Sequence, residues 1–120
     1  MANDKAFKIK NGLSAKRYLQ SSTAVAASDV DMSLGSYFTK TLSANTTFTF
    51  SNPPASGTAG SFALEVTGAS TYTITYPASV KWSGATTPDA PAAGEKDVYV
   101  FVTTDGGTTY YGKQAGDAVA

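Results

Sequence analysis

Short alternations of apolar and polar residues, separated by turn residues, dominate the chain from residue 35 onward. A period of two places Phe62, Leu64 and Val66 on one face of a strand over 61–67, with small or charged residues on the other face. Similar runs cover 37–42, 46–50, 71–76, 79–82, 97–103 and 108–113, of which 71–76 alternates most regularly. Glycine, proline, asparagine or aspartate lies between the runs, at the roughly 8–12-residue spacing of small β domains. The pattern predicts about seven strands and no helix.

Two of these runs indicate how the strands connect. The run 97–103 is apolar on both faces, which is typical of a central strand buried on both sides. Asp105, Gly106 and Gly107 follow it and tolerate the positive φ angles of a tight hairpin, so 108–113 is expected to return beside 97–103. We therefore predict an all-β fold, namely an antiparallel β-sandwich or jelly-roll-like barrel.

The first thirty residues are patterned more weakly than the rest. Residues 7–10 alternate apolar and basic side chains, and 11–12 is Asn-Gly, which favours a short strand followed by a turn. We assign 1–30 to an extended N-terminal arm and connector and 31–120 to the β-sandwich domain. The small residues of 114–120 are expected to fray.

The composition excludes several kinds of chemistry. The chain has no cysteine and no histidine, so disulfides, Cys/His zinc sites, cysteine nucleophiles and Ser-His-Asp triads cannot form within it. A glycosidase pair would need two carboxylates across a cleft, and Glu65 and Asp97 are better explained by their strand positions. The Asp29-x-Asp31 spacing suits a hard cation, but no third acid follows nearby and a solvated turn explains it better. We predict no enzymatic activity, no cofactor and no metal.

The charge is distributed unevenly although the whole chain is neutral. Residues 1–17 contain five basic residues and one acidic residue, a net +4, so the remainder carries −4. Such asymmetry indicates a basic arm that contacts an acidic partner, or alternatively a solvated tail. An acidic body disfavours nucleic acid as that partner, and the polar start predicts neither a signal peptide nor a membrane anchor. The predicted partner-binding residues are Phe7, Lys8, Ile9, Lys10, Lys16, Arg17 and Tyr18.

The aromatic residues allow two interpretations. Exposed rings on a β surface would form a platform for sugars, whereas Tyr72 and Tyr76, in phase with Ile74, are more simply explained as core. On the core interpretation Trp82 covers one end of the core. The candidates for a glycan-binding or otherwise exposed aromatic surface are Trp82, Tyr110 and Tyr111.

Five segments within residues 35–113 carry a resemblance to a known family, namely 37–42, 45–59, 62–66, 72–82 and 104–112. They resemble a β domain that recurs in virion structural proteins of tailed bacteriophages, including marine and cyanobacterial phages. Family members often have tryptophan where Tyr76 and Tyr110 stand here, which is a conservative departure. Residues 7–13 are also similar to the opening of phage fibre-like proteins.

The resemblance implies a structural role and transfers no catalytic residue. At 120 residues the chain is expected to be a compact accessory protein rather than a long fibre. Phage decoration proteins commonly form trimers and commonly use an extended arm to add strands to the capsid surface. The expected function is a capsid decoration or cement protein of the virion, assembled in the host cytoplasm, with the major capsid protein or another virion protein as partner. The alternative is a tail-associated or short tail-fibre protein with a carbohydrate-binding surface for host adhesion.

Overall fold

The computed structural model describes residues 9–119 of the chain. Within this range the protein forms ten β-strands and two three-residue 3-10 segments, Met32–Leu34 and Ser83–Ala85. The prediction of an all-β protein is confirmed. The strands are β1 (Ser22–Ala24), β2 (Asp29–Asp31), β3 (Tyr37–Thr41), β4 (Thr46–Thr47), β5 (Thr49–Ser51), β6 (Gly60–Thr67), β7 (Ile74–Thr75), β8 (Val80–Trp82), β9 (Lys96–Thr103) and β10 (Tyr110–Val119).

Six strands form one mixed sheet in the order β1-β3-β6-β9-β10-β8. The central pairs β6–β9 and β9–β10 are antiparallel, whereas β1–β3, β3–β6 and β8–β10 are parallel. Two smaller parallel ladders, β2–β5 and β4–β7, accompany this sheet. The expected antiparallel pairing therefore holds only at the centre of the described sheet.

The parallel pairing of β3 with β6 has a simple topological cause. Parallel neighbours need a crossover connection rather than a tight hairpin. Residues 42–59 provide this connection, and the strands β4 and β5 lie within it. The crossover therefore contributes strands to both small ladders.

The core lies between the inner face of the large sheet and the two small ladders. Phe62 on β6 and Phe101 on β9 point inward and are essentially unexposed. Phe50 on β5 packs on both rings, at centroid distances of 4.9 Å from Phe62 and 5.0 Å from Phe101. Its third neighbour is Tyr110 on β10, at 5.0 Å. This aromatic cluster joins the β2–β5 ladder to the large sheet.

The two faces of β9 differ, contrary to the prediction of a strand buried on both sides. Tyr99 and Phe101 are fully buried, while Val98, Val100 and Val102 are only half-buried on the opposite face. That outer face carries no second layer among the described residues.

The hairpin between β9 and β10 forms as predicted. Gly106 and Gly107 have φ angles of 69° and 83°, a region that glycine enters without a Cβ clash. Asp105 Oδ1 accepts hydrogen bonds from the Thr103 hydroxyl at 3.1 Å and the Thr109 amide at 2.9 Å. The Thr109 amide is the main reason why the pKa of Asp105 lies below its ordinary value.

Several element boundaries differ from the predictions. The regular alternation over 71–76 yields only the two-residue strand β7, because its partner β4 is itself two residues long. β10 continues to Val119 instead of fraying, since it pairs with β9 through two register shifts. The body begins at Ser22 rather than at residue 31, because β1 and β2 both pair with later strands.

Candidate functional site

The part of the N-terminal arm that precedes β1, residues 9–21, is exposed along its whole length. Phe7 and Lys8, two of the predicted partner-binding residues, lie outside the described residues. The other five, Ile9, Lys10, Lys16, Arg17 and Tyr18, are all exposed, as is every residue from 9 to 22. The large apolar side chains of this segment are Ile9 (44% exposed), Leu13 (71%), Tyr18 (77%) and Leu19 (71%).

The arm leaves the body at an edge of the large sheet. Val25, just after β1, is 7% exposed and donates a backbone hydrogen bond to the Thr39 carbonyl at 2.9 Å. The Ser36 hydroxyl donates to the side-chain oxygen of Gln20, which ties the end of the arm to the body. The other edge of β1 has no partner strand among the described residues. A partner therefore has access both to the apolar side chains of the arm and to an open strand edge.

The three candidate surface aromatics have different environments. Tyr111 is 61% exposed on the outer face, Trp82 is half-buried, and Tyr110 is 3% exposed. The assignment of Tyr110 to an exposed surface is therefore wrong. Consecutive residues of a strand point to opposite faces, and Tyr110 takes the inward position. Its ring belongs to the core, and its hydroxyl approaches Met32 Sδ at 3.8 Å.

Trp82 lies at the margin of the core, on the edge strand β8. Its ring contacts Tyr76, Tyr99 and Phe101 at centroid distances of 4.8, 5.9 and 5.4 Å. A Cβ at Gly112 would lie 3.1 Å from the Trp82 ring, so the ring lies directly over this glycine. The Trp82 ring therefore packs against the core, in agreement with the core interpretation. It also lines a surface groove, which is described next.

A groove of about 850 Å³ lies where β8, β10 and β9 run side by side. Tyr111 is the most exposed aromatic ring of its lining, and Lys81 stands opposite Tyr111 in the register of β8 and β10. Lys113 lies on the same face of β10, about 7 Å further along the strand. The lining residues are Lys81, Trp82, Ser83, Val100, Val102, Tyr111, Gly112, Lys113, Gln114 and Ala115.

The charge of the groove is positive. Its lining contains two lysines and no acidic residue. The one ion pair among residues 9–119 joins Lys96 Nζ to Glu65 Oε2 at 3.5 Å, outside the groove lining. Lys81 and Lys113 are therefore available to an anionic ligand, beside the exposed ring of Tyr111.

The acids considered for metal binding have structural partners. Asp29 accepts hydrogen bonds from the hydroxyls of Thr49 (2.7 Å) and Ser51 (2.6 Å), which brace the β2–β5 ladder. Asp31 accepts from Ser33 and Asn52, and the Ser33 hydroxyl is the main cause of its lowered pKa. Residues 9–119 contain no group of three or more acidic, cysteine or histidine side chains that would hold a metal ion.

The carboxylates considered for catalysis also accept structural hydrogen bonds. Asp97 is 1% exposed and accepts hydrogen bonds from the Tyr99 hydroxyl at 2.9 Å and the Ala118 amide at 2.8 Å. Glu65 accepts from the Tyr37 hydroxyl at 2.8 Å, besides its ion pair with Lys96. Both carboxylates thus hold neighbouring strands together.

Comparisons of the chain with protein family models, curated proteins and solved structures found no match. No helix within residues 9–119 has the length and apolarity that a membrane span requires. The arm and the groove are the two candidate binding surfaces of residues 9–119.

Sequence reasoning missed the lysines of the groove. The alternation of Tyr111 and Lys113 on β10 was a usable signal, since residues two apart share a face. The position of Lys81 beside them follows only from the parallel pairing of β8 with β10, which the sequence did not indicate.

Proposed function

We propose that this chain is a non-enzymatic virion structural protein of a tailed phage, and that it attaches to the capsid surface as a decoration protein through its N-terminal arm. The observation that carries the proposal is the exposure of the arm. Leu13, Tyr18 and Leu19 are each more than two-thirds exposed although they stand among basic residues. Large apolar side chains grouped in this way favour a covering partner surface.

The charge distribution supports a protein partner at the arm. The arm is basic and the body is acidic, so the arm suits an acidic surface such as that of a shell protein. The unpaired edge of β1 continues from the arm, which favours strand addition as the mode of attachment. We propose the major capsid protein, or another virion protein, as this partner.

Deletion of the arm tests the attachment directly. Removing residues 1–19 takes away Leu13, Tyr18 and Leu19 but leaves β1 and the body, and we expect it to abolish binding to phage heads that lack the protein. The readout is the number of copies per head after mixing and purification. Unchanged occupancy would refute the role of the arm.

Point variants separate apolar contact from charge. Replacing Tyr18 and Leu19 by serine should weaken head binding roughly 10- to 150-fold for each side chain, because burial of one such side chain contributes about 1.5–3 kcal/mol. Tyr111→Ser is the matched control, since Tyr111 is 61% exposed on β10, away from β1 in the strand order. Binding through Lys16 and Arg17 should also weaken as salt increases.

We further propose that the protein self-associates as a trimer. The outer face of β3 and β6, away from the groove, carries no second layer among the described residues and supports self-association. Sedimentation equilibrium should then give three times the 12.3 kDa mass of one chain. A purely monomeric protein at micromolar concentration would contradict this part of the proposal.

For the fold, we infer an incomplete β-sandwich. The large sheet forms one layer, and the β2–β5 and β4–β7 ladders together form a smaller second layer. Packing of Phe50 on Phe62 and Phe101 across the interior supports this description.

A second candidate function is favoured by the groove on β8, β9 and β10. In this alternative the chain is a tail-associated or short tail-fibre protein that binds host carbohydrate. The exposed ring of Tyr111 beside hydrogen-bonding side chains supports it. Gold labelling of intact virions distinguishes the two locations, because the alternative requires label at the tail vertex and the first proposal requires label over the head.

A further inference from the structure

The groove differs from an ordinary patch of exposed sheet in its charge. Lys81 and Lys113 flank Tyr111, and the lining contains no acidic residue although the body as a whole is acidic. A locally positive surface on a negative body favours an anionic ligand. Charge also argues against the arm of a second copy as the occupant, because that arm is itself basic.

The position of the groove on the sheet favours a saccharide over an acidic peptide. An extended peptide binds a sheet by pairing with a strand edge. The groove lies instead on the face of the sheet, where the backbone groups of β9 and β10 already pair with neighbouring strands. Binding here depends on side chains alone, namely an aromatic ring, two ammonium groups and the hydroxyl of Ser83.

We propose that this groove binds an acidic oligosaccharide, with one sugar ring stacked on Tyr111 and its carboxylate or sulfate groups held by Lys81 and Lys113. The half-buried valines Val100 and Val102 form an apolar floor beside the stacked sugar. This inference rests on the second function proposed above and specifies its ligand class.

Calorimetric titration of the full chain tests the inference with defined probes. The acidic probes are hexagalacturonate, hexamannuronate and a heparin hexasaccharide, and the neutral control is the methyl ester of hexagalacturonate. At least one acidic probe should bind, and for hexagalacturonate the methyl ester should bind about tenfold more weakly because two charged contacts are lost. Backbone amide shifts of β8 and β10 should report the site.

Variants identify the contacts. Tyr111→Ala should weaken binding about tenfold, and Lys81→Gln and Lys113→Gln about threefold each with a smaller dependence on salt. Lys96→Gln, with the same change of charge outside the groove, should leave the affinity unchanged. The variant proteins should retain the thermal midpoint of the parent, which separates loss of binding from loss of structure.

Three results would overturn the inference. Failure of all three acidic probes would overturn this inference, and failure of the methyl ester as well would count against the carbohydrate-binding function. Equal binding of the methyl ester, lost in Tyr111→Ala, would refute the acidic ligand and leave carbohydrate binding in place. Tighter binding of a hexaglutamate peptide than of any saccharide would assign the groove to an acidic protein segment instead.

Discussion

Two adjacent tyrosines on β10 give the sharpest test of the fold and of the groove together. Tyr110 is 3% exposed and packs on Phe50 and Phe62, at centroid distances of 5.0 and 6.5 Å. Tyr111, the next residue, is 61% exposed. Replacing each by alanine makes the same chemical change on opposite faces of one strand.

The expected effects on stability differ severalfold. Tyr110→Ala empties a filled site in the core and should lower the free energy of unfolding by about 3–5 kcal/mol, as other buried aromatic-to-alanine changes do. For a chain of this length that loss corresponds to a melting temperature roughly 12–20 °C lower. Tyr111→Ala removes an exposed ring and should stay within about 0.5 kcal/mol of the parent.

Urea unfolding followed by tryptophan fluorescence measures both variants. Trp82, the only tryptophan, contacts Tyr99 and Phe101 and reports loss of the core. If Tyr110→Ala does not fold, Tyr110→Phe provides a second measurement, since it keeps the ring and loses only the 3.8 Å contact with Met32 Sδ. Tyr110→Phe should cost less than about 1 kcal/mol, because a thioether is a weak acceptor. Equal destabilisation by the two alanine variants would refute the assignment of faces on β10.

Three further predictions concern stability. Gly68→Ala should lower the melting temperature strongly in a thermal melt, because its Cβ would lie 2.1 Å from the Ala92 carbonyl oxygen, and an unchanged melt would contradict this close approach. The pKa of Asp105 lies below its ordinary value through the Thr109 amide, so its contribution to stability is present above about pH 4 and lost as the pH falls through the folded pKa. The urea midpoint of Asp105→Asn should accordingly vary less between pH 5 and 2.5, relative to the parent. Burial raises the pKa of Tyr99, so stability should fall as the pH rises above about 10, and absorbance at 295 nm should show this ionisation only together with unfolding.

The local alternation of apolar and polar residues correctly predicted the strands that pair with long neighbouring strands. The inward positions of β6, Phe62, Leu64 and Val66, are all buried as expected. Eight-residue strands paired on both sides keep a period of two along their whole length, so their pattern is visible in sequence. The segment 71–76 shows the limit of this reasoning, because a two-residue partner allows only Ile74–Thr75 to form a ladder however regular the alternation is.

The local pattern could not predict the order of the strands in the sheet. It also could not predict which residue of an adjacent aromatic pair points into the core. The parallel neighbours of β6 and β10 depend on how the chain crosses over the sheet, which is a non-local choice. Tyr110 and Tyr111 are the same residue type in succession, so periodicity alone does not say which of them points inward. The register with β8 and β9 decides it. The groove was unpredictable for the same reason, since Lys81 and Lys113 are far apart in sequence.

The side chains that form the core are separate from those of the two proposed binding surfaces. The core depends on inward side chains such as Phe62 and Phe101, whereas the arm and the groove use outward ones such as Tyr18 and Tyr111. Substitutions at outward positions change binding without the cavity cost of a core change, because they leave the packed interior intact. The arm joins the sheet at β1 and the groove lies at β8, at opposite edges of the six-stranded order. A copy anchored by its arm would therefore leave its groove accessible, so attachment to a particle and binding of a saccharide are compatible within one chain.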